Sequence, residues 1–117
     1  MSEFTYLFRG RETAVSPDQM QRTMEKWLVW MKDLTAKGHV IDLGHPLDEG
    51  GTVVQGKDKL VIDGPFAEAK DIVGGYMLIK AQDLAQATEI ALGCPILEVG
   101  GSVEVRPIQR MDRPDGV

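Results

Sequence analysis

A single cysteine, Cys94, stands among the 117 residues, so the chain can build neither an internal disulfide framework nor a thiolate-rich metal site, and a reducing compartment is its simplest home. Long apolar runs are missing as well. No window approaches the roughly 20 consecutive apolar residues that a membrane span needs. Met1-Ser2-Glu3 leads straight into a strand-like segment, without a basic region followed by an apolar stretch, and this reads as a cytoplasmic protein. Cations are in the minority, with 13 Lys and Arg against 18 Asp and Glu and a net charge of -5. The only basic grouping is the scattered Arg106, Arg110 and Arg113, too little to form the electropositive face that phosphates require, so a general nucleic-acid binder is excluded. No Gly-x-Ser-x-Gly elbow, dinucleotide fingerprint or heme motif is present, and no cofactor is expected.

What remains is an ordinary globular composition, 43% hydrophobic and 26% charged, at a length that suits one continuous core. One domain over residues 1–117 is expected, with a frayed tail at about 111–117. Phe4 to Arg9 reads as a first strand. Ser16-Pro17-Asp18-Gln19 combines an N-cap serine, a first-turn proline and a glutamine placed to close a capping box, so a helix starts there. Met20, Met24, Trp27, Leu28, Met31 and Leu34 form its expected buried stripe, and Gly38 its stop. His39 to Leu43 reads as a short strand, and Thr52 to Gln55 with Lys59 to Ile62 as a hairpin closed by Gly56-Lys57-Asp58. Ile72 to Ile79 is a further strand. Asp83 caps a second helix whose apolar side is Leu84, Ala87, Ile90 and Ala91 and which stops at Gly93. Val103 to Ile108 is the last strand, with Pro107 pointing to an edge or a strand end.

The resulting order, strand, helix, strand, hairpin, strand, helix, strand, is that of an α+β, ferredoxin-like sheet with two helices on one face and an inserted β-hairpin. A sheet covered on one face should alternate apolar and polar residues if its other face meets water. Phe4, Tyr6 and Phe8 alternate with Thr5, Leu7 and Arg9, while Val73, Tyr76, Met77, Leu78 and Ile79 put bulky apolar groups on both faces. The second face therefore asks for a partner, and a homodimer packed sheet against sheet is expected.

Four separated motifs occur in order: Val61-Ile62-Asp63-Gly64-Pro65-Phe66-Ala67-Glu68-Ala69-Lys70, Gly74-Gly75-Tyr76, Gly93-Cys94-Pro95 and Val103-Glu104-Val105-Arg106-Pro107. Together they resemble the DGPF, or YCII-related, domain family. The resemblance is strong over the second half and rests on element order and the helix ending at Gly38 in the first. It implies a dimeric α+β barrel, two ferredoxin-like units packing their sheets around a pocket, in a family mostly of unknown function. The wider YCII-related group is suggested to be enzymatic through a histidine and aspartate pair, the histidine on the first helix. Here the helix from Pro17 to Lys37 has no histidine, and Trp27 stands about where one would be sought, so that pair is not carried over. Association of some relatives with extracytoplasmic-function sigma factors implies an alternative, a non-enzymatic accessory or regulatory module that binds a protein partner.

The residues themselves offer a short list of chemistry. Asp63 leaves a strand into a Gly-Pro turn, where burial would suit it to acid or base work, and where an aspartate equally serves by accepting a backbone hydrogen bond within the turn. His45, between Gly44 and Pro46, is free to reach a pocket and assist. His39 and Asp42 point to opposite faces of a strand, which argues against a metal shared with His45. Arg9 and Arg106 are candidates to clamp a carboxylate or phosphate, or to pair with Glu104. Phe66, Tyr76 and Trp30 are candidate pocket walls; Trp27 lies on the expected core stripe, and Trp30, off its centre, is expected to flank a pocket or a subunit contact. Gly74 and Gly75 precede a strand rather than a helix, so they serve close approach or a bulge rather than phosphate binding. Cys94 lacks anything that would lower its pKa and is read as structural. The expectation is a small-molecule-binding protein centred near Asp63-Gly64-Pro65-Phe66, performing proton transfer or hydrolysis if it is an enzyme.

Overall fold

The computed structural model describes residues 1–10, 16–64 and 71–116. Its strands and helices are β1 (Ser2–Arg9), α1 (Pro17–Ala36), β2 (Val40–Asp42), β3 (Gly51–Gln55), β4 (Leu60–Gly64), β5 (Val73–Ala81), α2 (Leu84–Ala91) and β6 (Ser102–Pro107), with a 3₁₀ turn at Pro95–Val99. A four-stranded sheet runs in the order β2-β5-β1-β6 with every neighbour antiparallel. That is the ferredoxin-like arrangement, with β3 and β4 inserted between its second and third strands as a separate two-stranded sheet. Pro107 lies on β6 at the sheet edge, where a residue without an N–H costs no ladder bond.

Local chemistry sets the helix ends. Ser16 and Gln19 satisfy one another's backbone amides, Gln19 N–H donating to Ser16 Oγ at 3.2 Å and Ser16 N–H to Gln19 Oε1 at 3.0 Å, the reciprocal capping box. At the other end Gly38 takes a φ of +78°, letting Gly38 N–H reach Thr35 O at 3.1 Å and His39 N–H reach Leu34 O at 3.0 Å, the two bonds of a Schellman stop. Asp83 Oδ1 accepts from Gln86 N–H at 2.8 Å and starts α2. Both helices therefore begin and end where their sequence signals stand.

The buried face of α1 does not follow the expected stripe. Met20 and Met24 are about three-fifths exposed, at 61% and 60%, and Leu28 is exposed too, whereas Trp30 is 8% exposed and sits in the core with Leu34. Thr23, Trp27 and Met31 are half-buried beside them. At 100° per residue this places the docked face roughly 50° away from the centre of the apolar stripe. The cause lies in β1. Phe4, Tyr6 and Phe8 project from it onto the helix side, and the two indoles meet these rings, Trp30 stacked on Tyr6 at 6.2 Å and Trp27 edge-on to Phe8 at 5.1 Å and 90°. Aromatic pairing of this kind outweighs a few methionine contacts in choosing the rotation of a helix. Trp30 thus packs into the core while its outer edge lines a shallow groove beside α1, and Trp27 stands between the core and a cavity. Leu84 of α2 is likewise exposed, while Ala87 and Ala91 are buried.

On the same side of the sheet Met77, Ile79 and Ala81 of β5 complete the core, and the Tyr6 hydroxyl is buried with its proton donated to the Ala87 carbonyl. Burial holds that phenol well above its ordinary pKa. The other face of the sheet carries Thr5, Leu7, Arg9, Tyr76, Leu78, Glu104 and Arg106, none of them buried. No described helix is long and apolar enough to cross a membrane.

Candidate functional site

Two glycine pairs of contacts bring distant segments together. Along β1 and β5, Phe8 faces Gly75 and Arg9 faces Val73, leaving Gly74 as a bulge. Against that bulge the chain following β2 is pinned: Pro46 bridges to Gly75, and Leu47 N–H donates to Gly74 O at 2.8 Å. Asp42 Oδ1 accepts from Gly44 N–H at 2.8 Å to turn the chain, and Gly44 takes a φ of +68°. A Cβ on Gly44 would overlap the Tyr76 carbonyl, and one on Gly75 would come within 3.3 Å of the His45 carbonyl. The glycines, of which Gly74 and Gly75 lie inside β5 rather than ahead of it, therefore permit the close approach, and Gly74 the bulge.

The approach leaves a cavity of about 440 Å³ between this segment, the sheet and α1. Phe8, Met77 and Ile96 line it from the core, Met24, Trp27 and Met31 from α1, and Leu43 to Pro46 with Gly74, Gly75 and Tyr76 from the pinned edge. Such a volume and apolar lining are typical of small-molecule sites. No Lys, Arg, Asp or Glu is among the described residues that line it, and His45 is the one imidazole there. The His45 ring lies 6.4 Å from that of Tyr76 at 67°, and its side chain makes no hydrogen bond among the described residues, which leaves its nitrogens available to a guest.

Of the residues singled out from the sequence, the cavity thus gathers His45 and Tyr76. Arg9, Trp30, Asp63 and Arg106 are not among the residues that line it. Asp63 is exposed on β4, opposite Thr52 in the separate hairpin, and is not part of the cavity wall. Phe66 lies outside the described residues. Arg9 donates through Nε and Nη2 to Glu104 Oε1 at 3.2 and 3.1 Å and through Nη1 to the Asp71 carbonyl, while Arg106 Nη1 donates to Glu104 Oε2 at 3.0 Å. The two guanidiniums converge on one carboxylate on the helix-free face, and none of these three residues lines the cavity. Hydrogen bonds from Arg106 and then Arg9 hold the Glu104 carboxyl below its ordinary pKa.

His39 Nδ1 lies 3.0 Å from the Lys80 carbonyl, a contact that turns this ring toward β5. No group of three or more His, Cys, Asp or Glu capable of holding a metal ion occurs among the described residues. Cys94 is buried, and that burial pushes its thiol up to about 12, the inert state of a packed cysteine. Sequence reasoning missed Met24 and Met31 as walls by assigning them to the core, and missed Phe8, Leu43 and Ile96 altogether. The signal for the edge was the Gly44-His45-Pro46 run, whose partner Gly74-Gly75 is distant in sequence.

The YCII-related domain model matches residues 3–112 of the chain. No curated protein matches it. Among solved structures it is similar to 5-chloro-2-hydroxyhydroquinone dehydrochlorinase (TftG) from Burkholderia phenoliruptrix AC1100, in complex with 2,5-dihydroxybenzoquinone, at 15% identity over 96% of this chain and 95% of that one, with a TM-score of 0.42.

Proposed function

We propose that this chain, which belongs to the YCII-related domain family, binds one small organic molecule in the cavity between α1, the sheet and the Leu43–Pro46 segment, and moves a proton on it with His45. The observation that carries the reading is an apolar cavity with His45 among its lining residues and no Lys, Arg, Asp or Glu among the described ones. An imidazole with free nitrogens can exchange a proton with a bound hydroxyl or carbonyl. Proton transfer of this kind asks for no cofactor. Asp63, the other acid or base suggested by the sequence, stands outside the wall and is given no part in it.

Native mass spectrometry of the purified protein tests the reading. One small organic molecule retained per chain, and lost on His45→Ala, is the expected result. A protein that retains nothing, and that no compound in a thermal-shift library stabilises, would contradict it. A regulatory module is the second reading, favoured by the exposed row Met20, Met24 and Leu28 along α1, an apolar ridge that a protein partner would cover. Recovery of one specific partner, with no ligand found, would support that reading.

A homodimer completes the proposal. Leu7, Tyr76 and Leu78 on the helix-free face supply the apolar centre of a sheet-to-sheet contact, and the Arg9, Glu104 and Arg106 cluster supplies a polar rim. Light scattering after size exclusion should give twice the mass of the chain, and a monomer at micromolar concentration would rule the contact out.

A further inference from the structure

We infer that the cavity selects a flat, aromatic or conjugated molecule bearing one polar handle, a hydroxyl or carbonyl presented to His45; this rests on the cavity being a ligand site, as proposed above. Three features of the wall narrow the class. The first is charge. Against the described lining, which holds no Lys, Arg, Asp or Glu, a phosphate, a dicarboxylate or a polyamine would find no opposite charge. A sugar would leave most of its hydroxyls unpaired for the same reason. This is not a general property of the surface, because the shallow groove on the far side of α1 is lined by Arg22, Glu25, Lys26, Asp33 and Glu98.

The second feature is the material of the α1 wall. Met24 and Met31 present thioethers, and Trp27 lies between them, already edge-on to Phe8. Thioether sulfur gains most against the edge of an aromatic ring, and an indole pairs with another ring in offset or edge-on geometry. Saturated hydrocarbon would fill the same volume without either gain. The third is the opposite boundary, where Gly44, Gly74 and Gly75 expose backbone rather than side chains. Peptide planes make a flat boundary there. A volume of about 440 Å³ stands at the small end of the range of about 300–1,000 Å³ for ligand pockets, which suits one or two fused rings.

Three probes separate the class from the site: 2-naphthol, its saturated counterpart decahydro-2-naphthol, and the dianion phthalate, each titrated into protein labelled with ¹³C at the methionine methyls. The expected result is saturable displacement of the Met24 and Met31 resonances by the ring current of 2-naphthol, with at least about tenfold tighter binding than decahydro-2-naphthol and no response to phthalate. A preference below about tenfold, or a response to phthalate equal to that of 2-naphthol, overturns the aromatic class while leaving the cavity as a ligand site. If none of the three moves either resonance, the cavity reading fails, and the inference fails with it.

Discussion

Two regions of this protein differ in how they are held, and the difference bears on where the proposed site lies. The Leu43–Leu47 segment is pinned to β5 by a backbone bridge, a hydrogen bond from Leu47 to Gly74, and a contact at Gly44 that leaves no room for a side chain. The β3–β4 hairpin is a two-stranded sheet of its own, with Val54 and Val61 paired across it and each more than three-fifths exposed. A two-stranded ribbon is marginal in water by itself. A site that orients a guest needs rigid support, and among the described residues the first region shows it. His45 stands on that region, and Asp63 on the other.

The contrast is broken or sharpened by substitution, beginning with the largest effect. Trp30→Ala should cost about 3–5 kcal/mol in urea denaturation, as removal of a buried indole does, whereas Met20→Ala should stay within about 0.5 kcal/mol. The reverse order would restore the helix rotation expected from periodicity. Next, Gly44→Ala should cost about 2–4 kcal/mol, since it adds overlap with the Tyr76 carbonyl to a left-handed backbone. Gly56→Ala in the hairpin shares the positive φ, at +75°, but meets nothing within 4 Å, and should cost only about 1 kcal/mol. Equal costs would mean that the pinned edge is no tighter than the hairpin.

These pairs also show what was legible in the letters. The element order, both N-caps, the Gly38 stop and the edge position of Pro107 rest on interactions among near neighbours, and each can be read from a few adjacent residues. The rotation of α1 depends on which rings of β1 meet its two indoles. Apolar periodicity records that a face exists, but it does not weigh indole against thioether. The cavity was less legible still, because it exists only when Gly44-His45-Pro46 meets Gly74-Gly75, and that meeting depends on strand register. Asp63-Gly64-Pro65-Phe66 was conspicuous for the opposite reason. Glycine and proline mark turns in any chain, and such letters stand out whether or not a cavity adjoins them.

A smaller effect separates the two faces of the sheet. Glu104 has its pKa lowered in the fold by Arg106 and Arg9, so its contribution is full above the unfolded carboxyl pKa and is lost as pH falls through the lower, folded value. The stability difference between the wild type and Glu104→Gln should therefore be present at pH 7 and shrink on acidification below the ordinary carboxylate range. A difference that is constant with pH would remove the two arginines as its cause. Smallest of all, His45→Ala and Asp63→Asn, both at exposed positions, should each change stability by no more than about 0.5 kcal/mol, which makes them clean probes of function.

That pair supplies the most direct test of the central claim, that the site is the cavity beside β5 and not the turn after β4. Native mass spectrometry of the wild type, His45→Ala and Asp63→Asn, purified in parallel, compares retention of the small molecule by each. Retention by the wild type and Asp63→Asn with loss from His45→Ala is the predicted result. Loss from Asp63→Asn with full retention by His45→Ala would contradict the account and return the site to the hairpin.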